Sequence, residues 1–373
     1  MDLSTLTANN PAMFKPWKFE GTAMAPNVLV ICKLLILLML AYHFYGMLVD
    51  PFIPFLKPLD YFNQYPGVFE LLMKTSFTFF AVALFLNVKV RTACIALGII
   101  VILQQLGTKP GFKNHIFVCG CVFLLAGLTN KKDGYWLLVW QLIIIYFGAF
   151  INKILDPDWH DGAFMHNWLS NARKNGPYIY LSGILPDNWL ALFLSWSAML
   201  SELIIGILLL FKKYRKHTFW LIVVFHTILY SVTGIRFGHF YDDLMIILLV
   251  FVSWPYGTIT IELKDKLNLG KQIHHLIDWD KKFQWKPLSE SAEKWMTLTT
   301  KDGEHYTNMN AIRKLLIYTP SFPVLLFTLD CAIKFIFDDQ NTVKHMIYMP
   351  LIWSTILFFI PLLWTKSSKS EAI

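Results

Sequence analysis

Ionisable side chains set inside long apolar runs are the residues of this sequence best suited to chemistry. A charge in hydrocarbon costs about 2.5 to 3.5 kcal/mol and persists mainly where it is paired or used. Lys153 closes the apolar run that contains Gln141 and Tyr146, and Asp156, Asp158, Trp159 and Gly162 form the turn after it. A partly desolvated amine gives up its proton more easily than one in water, so Lys153 is a candidate base near neutral pH. The same residue suits an interfacial anchor, with the ammonium snorkelling and Trp159 at the headgroups. His115 follows Asn114 at the start of another apolar run, Glu202 lies near the middle of a third, and His226 sits mid-run in Phe225-His226-Thr227. Glu202 and His226 both face desolvation, so each is expected to point inward, either satisfying the other or lining a cavity. Arg236, Phe237, His239, Asp242 and Asp243 mark a further turn, and Lys153, His115 and Arg236 are expected to share a polar outer vestibule.

These side chains need long apolar elements to hold them. The chain has 373 residues, 55% hydrophobic and 16% charged, against about 25% charged in soluble domains. That composition excludes a soluble, disordered or coiled-coil protein and predicts an all-α polytopic membrane protein. Runs of about 20 apolar residues are found at 27–48, 67–87, 91–107, 114–129, 135–153, 188–211, 218–237 and 240–257, with another at 346–364. The fold expected is a bundle of about nine transmembrane helices, with a small soluble α/β domain inserted before the last span. The domain boundaries are a cytoplasmic segment 1–26, a helical bundle 27–257, the soluble domain 258–312, and an interfacial segment with a final span over 313–373. Within the soluble domain, Met296 to Thr299 and Glu304 to Thr307 alternate about an Asp302-Gly303 turn. The run 315–337 is broken by Pro320 and Pro323 and either crosses the membrane or lies at its surface.

Net charge is +8, but the basic residues fall in loops, where they orient spans, and no soluble recognition fold carries them. Nucleic acid is therefore not an expected partner; the lipid bilayer is. With the N-terminus inside, Lys212, Lys213, Arg215 and Lys216 are cytoplasmic and the loop 154–187 is outside. The polar stretch Met1 to Met24 has no apolar core, so no cleavable signal peptide is expected. The five cysteines show spacings of neither a disulfide framework nor a metal site.

The Tyr146–Gly162 run, with a Lys before a Trp followed by xxG, resembles the signature of the vitamin K-dependent γ-carboxylase-like transmembrane family, the HTTM domain. Asn114-His115 opening a helix, Glu202, His226-Thr227, the Phe237 turn and the closing Phe251-Val-Ser253-Trp254-Pro255 keep the family's order across residues 25–256. The resemblance implies a lyase-type membrane enzyme whose cofactor is a reduced vitamin K, a menaquinol-type quinol, acting on a peptide or protein substrate. It implies that Lys153 deprotonates the quinol, that His115 assists near the carbanion to which carbon dioxide adds, and that His226 faces the quinone pocket. Tyr146, Trp159, Glu202 and Arg236 would bind the cofactor. The family's animal enzyme has a Lys pair here, and Ile154 stands opposite its other member. A bacterial inner-membrane location is implied as well.

The chain lacks the large luminal domain with which the animal enzyme binds its substrate's propeptide. Bacterial family members often end in a thioredoxin-like DCC domain opening Asp-Gly-x-Cys-x-x-Cys. Asp265 to Lys271 occupies the comparable place here without either cysteine, so a degenerate domain without dithiol chemistry is expected. A transport or lipid-handling protein and an immunity-type partner of a small peptide, both without catalysis, stay open beside the enzyme.

Overall fold

The computed structural model describes residues 11–41, 52–129, 135–233, 238–252, 257–264, 269–291 and 293–336. Arg236, Phe237, Trp254 and the expected span 346–364 lie outside these residues. The chain divides into two compact units, residues 1–135 with 252–373, and residues 136–251. The bundle expected over 27–257 thus runs through both.

The first unit begins with α1 (Pro26–Ala41), α2 (Pro66–Phe85), α3 (Val90–Leu106) and α4 (Asn114–Leu128). The second holds α5 (Trp136–Ile154), the single turns α6 (Pro157–His160) and α7 (Ala163–His166), then α8 (Gly176–Ile184), α9 (Trp189–Leu210), α10 (Arg215–Thr233) and α11 (Gly238–Ile247). The chain then returns to the first unit with β1 (Ile259–Leu263), α12 (Leu269–His275), β2 (Phe283–Pro287), β3 (Met296–Thr299), β4 (His305–Thr307), α13 (Asn308–Ile317) and α14 (Ser321–Ile336).

Among the described residues, α2, α5 and α9 are long and apolar enough to cross a membrane, and the pair α13 and α14, bent by 79°, makes a fourth if it counts as one span. The count of nine is therefore not reached. The helices α3 and α4 have 17 and 15 residues; at about 1.5 Å per residue both fall short of a hydrocarbon core of about 30 Å. What they lose in length they gain in closeness. A Cβ added at Gly98 would stand 2.5 Å from the Leu124 amide nitrogen, and one at Gly127 would stand 2.6 Å from the Arg91 carbonyl oxygen. Such small residues let two helix backbones touch, the usual basis of packing where water supplies no hydrophobic drive.

The small domain is a four-stranded sheet in the order β2-β1-β3-β4. Strands β1 and β2 are parallel and the other two pairs antiparallel. Its core alternates as a one-sided sheet requires, with Ile259, Ile261, Met296 and Leu298 buried. The Asp302-Gly303 turn forms as expected, with Gly303 at φ +82°. The helix α13 packs on β3 and β4 and continues to Ile317. Pro320 then ends it and α14 begins.

Residues 11–25 form a strap within the same unit. The backbone N–H groups of Phe19 and Glu20 both donate to Asp280 Oδ1, at 3.0 and 2.9 Å, and Lys282 pairs with Glu20 at 2.5 Å. On its other side the strap caps Lys33, a fully buried cation in α1. The Lys33 ammonium donates to Pro16 O, to Phe85 O at 3.2 Å and to Asn87 Oδ1 at 2.9 Å, and lies 4.8 Å from the Phe19 ring centroid. Asn87 takes a left-handed backbone and donates to the carbonyls of Ala12, Lys15 and Lys18.

Candidate functional site

The second unit is built on α5 and α9, which pack against each other. Tyr146 and Lys153 are seven residues apart on α5, and Ser195 and Glu202 are seven apart on α9; two helical turns bring each pair onto one face. A Cβ added at Gly206 would stand 3.4 Å from the Phe147 ring, at van der Waals contact.

Lys153 stands in the last turn of α5 and donates to both carboxylate oxygens of Glu202, at 2.8 Å each. The lysine is 20% and the glutamate 10% exposed, so the pair is largely out of solvent. The Lys153 ammonium also lies 5.1 Å from the centroid of the Trp159 ring, which stacks on Phe164 at 4.4 Å. The turn that brings Trp159 back is specified locally. Asp156 accepts from the Asp158 N–H at 3.1 Å and caps α6, with Pro157 at its first position. His160 Nε2–H donates to the Ile154 carbonyl at 2.8 Å. Gly162, at φ +82°, lies so close to α9 that a Cβ would meet the Leu192 amide nitrogen at 2.7 Å, so only glycine fits.

Tyr146 and His226 form a second buried pair, sharing a hydrogen bond of 2.9 Å between the phenol oxygen and Nε2. Phe225 and Phe240 rings flank the imidazole at 4.9 and 5.7 Å. Both Glu202 and His226 are buried, as expected of charges in apolar helices. They do not satisfy each other, however. Glu202 is taken by Lys153 and His226 by Tyr146, because facing helices rather than sequence proximity decide the partner. Asp242 and Asp243 are not in an outer turn but buried within α11.

Residues 128–254 match the HTTM domain. The HTTM domain takes in all of α5 to α11 and nearly coincides with the second unit. It begins well after residue 25, where the sequence resemblance began, so Asn114 and His115 fall outside it. His115 is the second residue of α4 in the first unit and is half-buried; Lys153, Glu202, Tyr146, Trp159 and His226 are gathered inside the HTTM domain. No curated protein and no solved structure matches the chain.

One residue escaped the sequence reading. Ser195 is fully buried, and among the described residues its hydroxyl has no hydrogen-bond partner. Its spacing from Glu202 was the available signal. Its hydroxyl is an orphaned donor on the Glu202 face of α9.

Proposed function

We propose that this chain is a membrane enzyme of the vitamin K-dependent carboxylase type, working with a lipid-soluble quinol and a peptide or protein substrate in a bacterial inner membrane. The observation that carries this reading is the Lys153–Glu202 pair, two groups able to exchange a proton 2.8 Å apart and held largely out of water. When bound, a quinol supplies an acidic phenolic hydroxyl and two electrons. Lys153 would first pass a proton to Glu202, 2.8 Å away, and the neutral amine could then accept the proton of such a hydroxyl while Glu202 keeps the one it received. Trp159 and Ser195 would orient the ring, and the Tyr146–His226 pair would offer it a further hydrogen-bonding group. Arg236 and His115 are proposed as further site residues on the family resemblance. The sheet order of the small domain, with β1 and β2 parallel and joined by α12, supports a thioredoxin-like reading in which the position after β1 carries no dithiol. About nine spans are proposed for the whole chain.

Lys153→Ala and Lys153→Arg separate this reading from its rival. Quinol oxidation by purified membranes is expected to fall about 100- to 10,000-fold in Lys153→Ala, and equally in Lys153→Arg, because a guanidinium stays protonated near pH 7. Abundance of the Arg variant in membranes should be near normal, since the guanidinium still meets both oxygens of Glu202. Full activity in Lys153→Arg would remove Lys153 as base and leave the transport or lipid-handling role.

A further inference from the structure

The loop expected over 154–187 is mostly helical, and its longest helix, α8, leaves most of its large apolar side chains exposed. A helix on a water-soluble surface turns its apolar side inward and its polar side out. In α8 the one buried side chain, Tyr178, packs in an apolar cluster with Trp159, Met165 and Leu169, and its polar atoms are bonded as well. Tyr178 shares a hydrogen bond of 3.0 Å with His166 Nδ1, and Asn175 caps the Tyr178 N–H at 2.8 Å while donating to the Val232 carbonyl at 2.7 Å. The Ser182 hydroxyl bonds the Ile179 carbonyl of its own helix at 3.0 Å, leaving no outward polar group there unpaired.

What α8 shows to its surroundings is apolar. Tyr180 is 70% and Ile184 64% exposed, with Ile179 and Leu181 also on the outer arc. At 100° per residue these four positions span more than half the helix circumference. The apolar surface continues onto α9, against which α8 packs and where Trp189 and Phe193 stack, exposed, at 5.5 Å. Since α9 is long and apolar enough to cross a membrane, the occupant that covers its exposed residues also reaches α8. Nine residues extend only about 13 Å, too short to span a bilayer. Charged residues, Lys174 and Asp187, lie just beyond the two ends.

We propose that α8 lies flat within one leaflet of the bilayer. Its Tyr180–Ile184 arc sits among acyl chains, Trp189 lies at the interface, and Lys174 and Asp187 are both at headgroup level. This placement is independent of any role of Lys153 and adds an in-plane element to a segment that the sequence presents as an aqueous loop.

Spin labels attached to Tyr180→Cys, Ile184→Cys and Lys174→Cys in the full chain, reconstituted in phosphatidylcholine/phosphatidylglycerol vesicles, test it; the identically treated parent chain corrects for its own cysteines. At 180 and 184 collision with dissolved oxygen should exceed collision with a water-soluble nickel chelate several-fold, and at 174 the order should reverse. Equal or greater access of the chelate at 180 and 184 would overturn the proposal by placing α8 in water. Exclusion of both reagents would overturn it by placing protein over the arc. Two label positions on the exposed arc guard against one variant folding poorly.

Discussion

At the scale of single residues, the fate of a buried ion pair depends on whether both halves go together. Glu202→Leu leaves the Lys153 ammonium desolvated and unpaired, and a loss of about 3 to 5 kcal/mol is expected. The double variant Lys153→Met with Glu202→Leu should recover most of it; unfolding in mixed detergent micelles measures both. His274 offers a pH-dependent counterpart outside the membrane helices. It is buried, its Nε2 meets Thr319 Oγ1 at 3.1 Å, and burial drives its pKa down to about 3. The unfolded chain therefore binds a proton below about pH 6.5 that the folded domain refuses, and stability falls with pH at about 1.4 kcal/mol per unit. Roughly 2 kcal/mol should go between pH 6.5 and 5. Asp278 and Asp280, raised by burial, act in the opposite sense at lower pH. Hydrogen exchange of β1 at pH 7 and pH 5 should show the loss, and His274→Phe should flatten it. Lys153, Glu202 and His226 were legible because an ionisable group in an apolar run stands out. Their partners were not, since Lys153 to Glu202 and Tyr146 to His226 are contacts across helices, and Lys33 obeyed the same rule yet was passed over.

At the scale of elements, hydrophobic runs were the clearest signal. The eight apolar stretches of the first two thirds all begin helices within a few residues of the expected starts, the largest offset being 218 against Arg215. The missed elements, α6 to α8, are made by caps and prolines rather than by periodicity: Asp156-Pro157 and Asn175-Gly176-Pro177 each start a turn too short to show a repeat. Helix crossings were equally invisible, because a glycine reads the same whether it touches a backbone or open space. Gly98→Ala, whose Cβ would collide with the Leu124 backbone, is expected to cost about 1 to 3 kcal/mol, while Gly148→Ala, with nothing within 4 Å, should be neutral. Thermal unfolding of the two variants in one detergent makes the comparison direct.

At the scale of the whole molecule, the chain leaves its first unit at residue 135 and returns to it at 252, and the strap at residues 11–25, already held by Lys33 and Asn87, gains Asp280 and Lys282 only after the return. Asp280→Ala removes the acceptor of two strap N–H groups, which should cost about 1 to 3 kcal/mol. Trypsin should then cut after Lys18 several-fold faster, with the HTTM domain unaffected. The same clasp imposes a schedule on biosynthesis. Phe19 meets Asp280 across 261 positions, and at about 5 to 20 residues per second a ribosome needs roughly 13 to 50 s to deliver the second after the first. Throughout that interval the nascent strap lacks its carboxylate acceptor while the HTTM domain is made in between. A chain stalled before residue 280 would hold the strap through Lys33 and Asn87 alone, with the Phe19 and Glu20 N–H groups still open to water.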